Sequence, residues 1–353
     1  MGRFGYVFVI VGVVFLLVAA CKKDESEDPE DTGWNPTDYN LVIPDGYPDM
    51  EIPENNPMTV EGVELGRRLF FDPILSANNT QSCASCHIQD LSFAENRQFS
   101  IGIDGIEGSR NAMSLINAGW FRSMNWDGSA TTLEEQAFEP VTNPVEMHNT
   151  WPDAVAALKN HPDYPDWFYD AFGTRDFDSA HVVRALAQFE RTLISSDSKW
   201  DRYLRGEVQL SVAETKGFEI FFTEKGDCFH CHSTILFTDN EFHNNGLDSV
   251  FTDTGLNEVT GDPNDIGKFK TPTLRNVVYT SPYMHDGRFE TLEEVIDFYS
   301  EGLKFSPTID PLMKNVNQGG VQLTQEEKEN LIAFIKTLTD TTFINNPDFS
   351  NPF

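Results

Sequence analysis

Positive charge is scarce in this sequence. Of the 353 residues, 25 are Lys or Arg and 56 are Asp or Glu, so the formal net charge is −31. A chain of this charge repels the phosphates of nucleic acids, which argues against nucleic acid as a partner. The acidic surface favours solubility, and it leaves a basic redox partner open without identifying one.

Long apolar runs are equally scarce. The run YVFVIVGVVFLLVAA follows one Arg and ends at residue 20. It is short for a membrane span, and its charged start and small-residue end are typical of a secretory signal. The sequence VAAC at 18–21 resembles a bacterial lipobox, in which the cysteine becomes the lipidated first residue. We predict a lipoprotein signal peptide at 1–20, lipidation of Cys21 and an extracytoplasmic, membrane-anchored protein, on the periplasmic or outer-membrane face. An uncleaved N-terminal anchor is the alternative.

Alternating strand patterns are missing altogether. Residues 21–55 are acidic and poor in apolar residues, which predicts a flexible tether. The later chain has enough residues for two domains, and its apolar residues recur at helical spacing. The predicted helices cover 59–71, 150–160, 179–195, 211–226 and 323–340. We therefore predict a mainly α fold with long loops.

The sequence contains an internal duplication. Residues 117–135 read NAGWFRSMNWDGSATTLEE, and residues 276–294 read NVVYTSPYMHDGRFETLEE, at a constant offset of 159. Each copy follows its own C-x-x-C-H motif. The duplication predicts two related domains, at 56–206 and 207–345, followed by a short tail at 346–353.

Cysteine is used only in those motifs, apart from Cys21. The motif residues are Cys83, Cys86 and His87, and Cys228, Cys231 and His232. Cysteines this close in the chain would close only very short loops as disulfides, which would stabilise the fold little. A zinc site would leave the repeated histidine unexplained, and a thioredoxin-like pair needs a βαβ context that the sequence lacks. In an exported protein the motif is typical of c-type haem attachment, with the histidine facing the iron. We predict two covalently bound haem c groups, each in a cytochrome c-like domain.

The two copies differ after the shared TLEE. The first copy has Gln136 and, ten residues later, Glu146, whereas the second has Tyr299. An electron carrier closes both faces of its iron, whereas a peroxidase keeps one face open below polar groups. The first half is therefore the candidate for chemistry, and the second for electron relay.

Residues 58–345 resemble the bacterial di-haem cytochrome c peroxidase family, which includes the MauG-type enzymes. The shared segments are FDPILS (71–76), SCASCH (82–87), RNAMSLIN (110–117), NWDG (125–128), LEEQ (133–136), VEM (145–147), FKTPTLRN (269–276) and SPYMHDG (281–287). The resemblance implies that Glu146 is the acid–base group over the first haem with Gln136 beside it. It also implies that Trp126 lies between the haems as an electron route. It further implies a calcium ion held by Asn111, Thr280 and Pro282, for which oxygen ligands are suited.

Two positions depart from the better-known peroxidases of that family. Those enzymes close the first haem with a distal His, where this chain has Ile103 within FSIGIDG (99–105). Isoleucine cannot ligate iron, so we expect a five-coordinate or water-bound first haem. They also ligate the second iron with a Met fourteen residues after the HDG histidine. Here that position is Tyr299, as in MauG-type enzymes. The alternative is that Tyr299 only packs and that Met284 ligates.

The sequence thus predicts an enzyme that reduces hydrogen peroxide to water. Its electrons would come from a small extracytoplasmic cytochrome c or cupredoxin. Two alternatives stay open, namely MauG-type oxidation of a protein or small substrate and a non-catalytic di-haem electron-transfer cytochrome. The sequence also leaves a homodimer open.

Overall fold

The computed structural model describes residues 1–2 and 33–353. The predicted signal peptide, Cys21 and the first part of the tether lie outside the described residues. The chain divides into the units Met1–Trp34 and Asn35–Phe353, and the second unit contains every predicted site residue except Cys21. Within the described part of the chain, no helix is long and apolar enough to cross a membrane.

The second unit is mainly helical, as the periodicity predicts. Its helices are α1 (Val60–Phe71), α2 (Leu133–Thr142), α3 (Trp151–Asn160), α4 (Tyr164–Phe172), α5 (Ser179–Arg191), α6 (Lys199–Leu204), α7 (Val212–Phe221), α8 (Asn257–Thr260), α9 (Leu292–Asp297), α10 (Gln325–Lys336) and α11 (Thr341–Ile344). One short antiparallel pair joins β1 (Phe242–His243) to β2 (Phe269–Lys270). All five predicted helices are therefore confirmed.

The predicted helices begin within two residues of the predicted start, and α5, α7 and α10 end sooner than the periodicity suggests. Thr59 and Thr150 cap α1 and α3 by accepting hydrogen bonds from backbone N–H groups of the first turn. After α5 and α10, the hydroxyls of Thr192 and Thr337 each donate to the carbonyl three residues earlier, at 2.6 Å. These local hydrogen bonds compete with the next helical turn, so the two helices stop at 191 and 336.

Two apolar cores organise the unit, and each is built on a crossed helix pair. In the first core α1 packs on α5, and in the second α7 packs on α10. A glycine lies at each crossing: a Cβ on Gly66 would lie 1.9 Å from the carbonyl oxygen of Ala185, and one on Gly217 would lie 1.9 Å from that of Asn330. The same close approach in both halves is structural evidence for the duplication.

The repeated sequence segments adopt the same local structure. Asn117 and Asn276 both have left-handed backbone, and their side-chain oxygens accept from the N–H groups of Ser195 and Asp340. Isolated antiparallel bridges join Met124 to Ala130 and Tyr283 to Phe289, again offset by 159 residues. The two repeated segments thus share backbone conformation and hydrogen-bonding pattern.

The end of the chain returns to the first half. Phe343 and Phe349 are buried in the first core, beside Phe93. Arg67 of α1 donates from Nε to the carbonyl oxygen of Ser350 at 2.8 Å, and Gln89 donates to that of Asn346 at 2.8 Å. The last residues thus pack on the half of the unit that is made first.

Candidate functional site

Both C-x-x-C-H motifs have the same geometry. Each occupies a single 3-10 turn, at Cys83–Ser85 and at Cys228–His230. Nδ1 of His87 lies 2.9 Å from the carbonyl oxygen of Phe93, and Nδ1 of His232 lies 2.8 Å from that of Phe237. Because Nδ1 is engaged by an acceptor, Nε2 of each imidazole is left with the lone pair that a metal needs. The turn and the oriented histidine fit a covalently attached haem in both halves.

The motifs do not fit the other uses of paired cysteines. Among the described residues, all four thiols are free and no two of them share a cluster of metal-binding groups. Cys231 does approach Asp239 and His243. However, the two ring nitrogens of His243 are held by Asp239 and Asp310 at 2.8 and 2.6 Å, so neither is available to a metal.

Glu146 lies close enough to the first motif for its charge to act on both thiols. Burial raises the pKa of the Cys86 thiol to about 11, and the carboxylates of Glu95 and Glu146 add to that shift. Burial also raises the pKa of Glu146, although Asn143 Nδ2 donates to its Oε1 at 2.6 Å and thereby favours the ionised form. Glu146 is thus a half-buried carboxyl close to the first motif.

The segment that contains Ile103 lies against Glu146. The backbone N–H of Ile103 donates to the carbonyl oxygen of Glu146 at 2.9 Å, and Gly102 approaches the Val145 carbonyl so closely that a Cβ would lie 2.3 Å from it. Ile103, which the sequence predicts to stand in place of a distal histidine, has a side chain without any ligand atom. Gln136 lies half-buried on α2, and among the described residues its side chain has no direct bond to Glu146.

Glu190 is a group near the first motif that sequence reasoning missed. It lies on the inner face of α5, and its Oε2 has no hydrogen-bond partner among the described residues. Burial raises its pKa to about 8, and it is close enough to influence Cys83. The only available signal is a carboxylate on the apolar side of an amphipathic helix.

The second motif opens into a large, mostly apolar cavity. Cys228, Cys231 and His232 line one side, and Tyr299 and Met284 also line it. Tyr299 lies in a single π-helical turn, Phe298–Gly302, which continues α9. Such turns recur at functional sites because they redirect one side chain.

Tyr299 and Met284 converge on one amide. Nδ2 of Asn245 lies 3.0 Å from the Tyr299 hydroxyl oxygen and 3.7 Å from the Met284 sulfur. Burial raises the pKa of the Tyr299 phenol to about 12, and the Asn245 hydrogen bond partly offsets this. Both candidate ligands therefore share the cavity with His232, and Asn245 is a second residue that the sequence did not reveal.

Trp126 lines the same cavity. So do the three residues of the predicted calcium site, Asn111, Thr280 and Pro282. Nε1 of Trp126 donates to the carbonyl oxygen of Asn111 at 2.8 Å, and its ring meets the His285 ring edge-on at 6.5 Å. Nδ2 of Asn111 donates to the carbonyl oxygen of Arg97 at 2.8 Å. Trp126 thus bridges a segment of the first half to the cavity of the second.

Two apolar cores with one oriented C-x-x-C-H motif each fit a class of protein with two covalently attached c-type haems. The profile of the di-haem cytochrome c peroxidase family matches residues 60–209. The methylamine utilization protein MauG of Methylorubrum extorquens is 37% identical over 289 residues, which cover 81% of this chain and 80% of that protein. This chain belongs to the di-haem cytochrome c peroxidase family, and the family resemblance predicted from the sequence is confirmed.

Two further comparisons extend across most of the chain. The cytochrome c551 peroxidase of Nitrosomonas europaea is 34% identical over 310 residues, which cover 85% of this chain and 84% of that protein. The crystal structure of a MauG-like protein associated with microbial copper homeostasis superposes with a TM-score of 0.82 at 39% identity, covering 89% of this chain and 99% of that one. The relatives thus include both peroxidases and MauG-type proteins.

Proposed function

We propose that this protein reduces hydrogen peroxide to water at the first haem. The observation that carries the proposal is Glu146, a half-buried carboxyl near enough to the first motif for its charge to act on the Cys86 thiol. Its neighbour across the backbone, Ile103, offers no ligand to close the site. An electron carrier has no use for an acid–base group beside an open position.

Glu146 supplies the proton chemistry. The haem, when bound, offers the site where peroxide is held and the electrons that cleave it. The carboxylate of Glu146 takes the proton from the near oxygen of peroxide and gives it to the far oxygen, so that water leaves in place of hydroxide. Asn143 holds Oε1 through a 2.6 Å hydrogen bond, which keeps the carboxyl in one orientation. Gln136 is proposed as a further polar group beside the bound peroxide.

The second half delivers electrons. Peroxide needs two electrons, and a second haem attached at Cys228 and Cys231 provides one further store. Trp126 is proposed as the route between the halves, because it lines the second cavity while its indole N–H donates to Asn111. A small extracytoplasmic cytochrome c or cupredoxin is proposed as the external donor.

Tyr299 is proposed to bind the second haem iron together with His232, because both line the same cavity. Its hydroxyl is buried in the same cavity, and the π-helical turn places it there. An anionic oxygen ligand lowers the potential of the second haem relative to methionine. This favours a second candidate function, the peroxide-dependent oxidation of a protein or small substrate in the manner of MauG-type enzymes.

Calcium is proposed between the two halves. Asn111, Thr280 and Pro282 line one cavity, and carbonyl and amide oxygens suit this cation. The lipid anchor at Cys21, the tether and the domain boundaries at 206 and 345 remain proposals from the sequence.

Turnover assays separate the candidate functions. We expect the purified holoprotein to consume hydrogen peroxide in the steady state with a reduced small cytochrome c as donor. A rapid spectral reaction with peroxide but no turnover on that donor would favour the second function. The absence of any reaction with peroxide would refute both and leave an electron-transfer cytochrome.

A further inference from the structure

Lys270 is a buried cation that lacks a partner for its charge. It lies on β2, is 1% exposed, and its Nζ has no hydrogen-bond partner among the described residues. Within the described part of the chain, Nζ lies over the face of the Phe121 ring, 3.5 Å from its centroid. A cation–π contact of this kind offsets only part of the free-energy cost of burying an unpaired ammonium. Burial accordingly lowers the pKa of this amine to about 7.

The other buried cation of the same segment has a carboxylate that pairs with its charge. Arg275 is equally buried, but its two terminal nitrogens donate to both oxygens of Asp201 at 2.9 and 2.8 Å. Lys268, two residues before Lys270, is exposed enough to reach water and still donates to Asp265 at 2.9 Å. The missing partner is therefore particular to Lys270.

The place of Lys270 indicates what that partner is. Lys270 lines the cavity that contains His232, Cys231 and Trp126. A haem attached at this motif brings two propionates, which are the anionic groups that it adds to the cavity. We infer that the ammonium of Lys270 binds a propionate of the second haem and is a positioning residue for that haem.

This contact would also fix the position of the second haem relative to Trp126, the proposed electron route. The backbone N–H of Lys270 donates to the carbonyl oxygen of Trp126 at 2.8 Å. A propionate held by the Lys270 side chain is thus fixed relative to the indole proposed to carry electrons. The inference rests on the second haem of the proposed function, but not on peroxide turnover or on Tyr299 as ligand.

The test compares holoprotein variants by haem content, redox titration and resonance Raman spectroscopy. In K270M we expect the midpoint potential of the second haem to shift to lower values, because a nearby positive charge favours the reduced form. The propionate bending band should shift as well. K270R keeps the charge and should retain the potential, while its different geometry still moves the band. K268M is the matched control, since it removes a neighbouring charge that is already paired with Asp265.

The outcomes distinguish the inference from the function on which it rests. A K270M protein with two haems, an unchanged potential and an unchanged propionate band would overturn the inference alone. An equal shift in K268M would also overturn it. If K270M yields no holoprotein, K270R decides, because an unmoved propionate band there means that the side chain does not touch the haem. Wild-type protein without a second haem would instead refute the proposed function.

Discussion

The acidic limb of the pH–activity profile should follow the ionisation of the Glu146 carboxyl. This carboxyl must be ionised to accept the proton of peroxide, and burial raises its pKa. Activity is therefore expected to rise with pH through that raised pKa and to be lost as pH falls below it. Replacing Glu146 by Gln removes the proton acceptor while preserving shape. General acid–base catalysis contributes about 10²–10⁴-fold, so E146Q should lose that factor, equivalent to about 2.7–5.4 kcal/mol of barrier.

Two neighbours of Glu146 should move the limb in opposite directions. Asn143 donates to Oε1 at 2.6 Å, and a hydrogen bond to a charged group is worth about 1.5–3 kcal/mol. N143A removes that support for the carboxylate, so the acidic limb should move to higher pH. Glu139 is exposed, and its charge raises the pKa of Glu146. E139Q should therefore move the limb to lower pH.

The assay is steady-state peroxide consumption with a reduced small cytochrome c at constant ionic strength. The pH is varied from about 4 to about 9, the range in which carboxyl and imidazole groups titrate. Haem content and the ultraviolet–visible spectrum of each variant confirm that both haems are attached. The reasoning fails if E146Q retains the acidic limb, or if N143A and E139Q shift it in the same direction.

Three further predictions concern the ligands and the fold. Y299F should change the absorption and magnetic resonance spectra of the second haem and leave those of the first unchanged; unchanged spectra would rule out Tyr299 as ligand. The resting protein should show a first haem that is five-coordinate or water-bound, and I103H should convert it to a low-spin form; two fully low-spin haems in the wild type would contradict this. R275M should lower the free energy of unfolding in urea by about 3–5 kcal/mol, because Asp201 is left as an unpaired buried charge; a loss below about 1 kcal/mol would show that the ion pair is dispensable.

The features that repeat in the sequence are the ones that could be predicted from it. Both histidine motifs and the segments repeated at an offset of 159 residues appear in the structure as expected. Each motif and each repeated segment consists of residues close together in the chain, so local spacing alone defines it. The family resemblance added Glu146 and Trp126, for which local patterns offer only a surface carboxylate and a core aromatic.

Residues whose role depends on distant partners could not be predicted. Asn245 acquires its importance from the hydroxyl of Tyr299, 54 residues away, and Glu190 from the fold that buries it beside Cys83. In the sequence Lys270 is an ordinary lysine, and only the cavity that it lines indicates a role for it. The preference between Tyr299 and Met284 stays a prediction, since both lie near the same amide.

The return of the chain end to the first core sets an order for assembly. Phe343 and Phe349 complete a core whose other members precede residue 194. A chain made and exported from its N-terminus can finish the second core, which ends at Leu338, before the first is sealed. The half that is made first is therefore the last to close. Because Cys83 packs against this core, the packing around the first motif depends on residues that follow the second core in the chain.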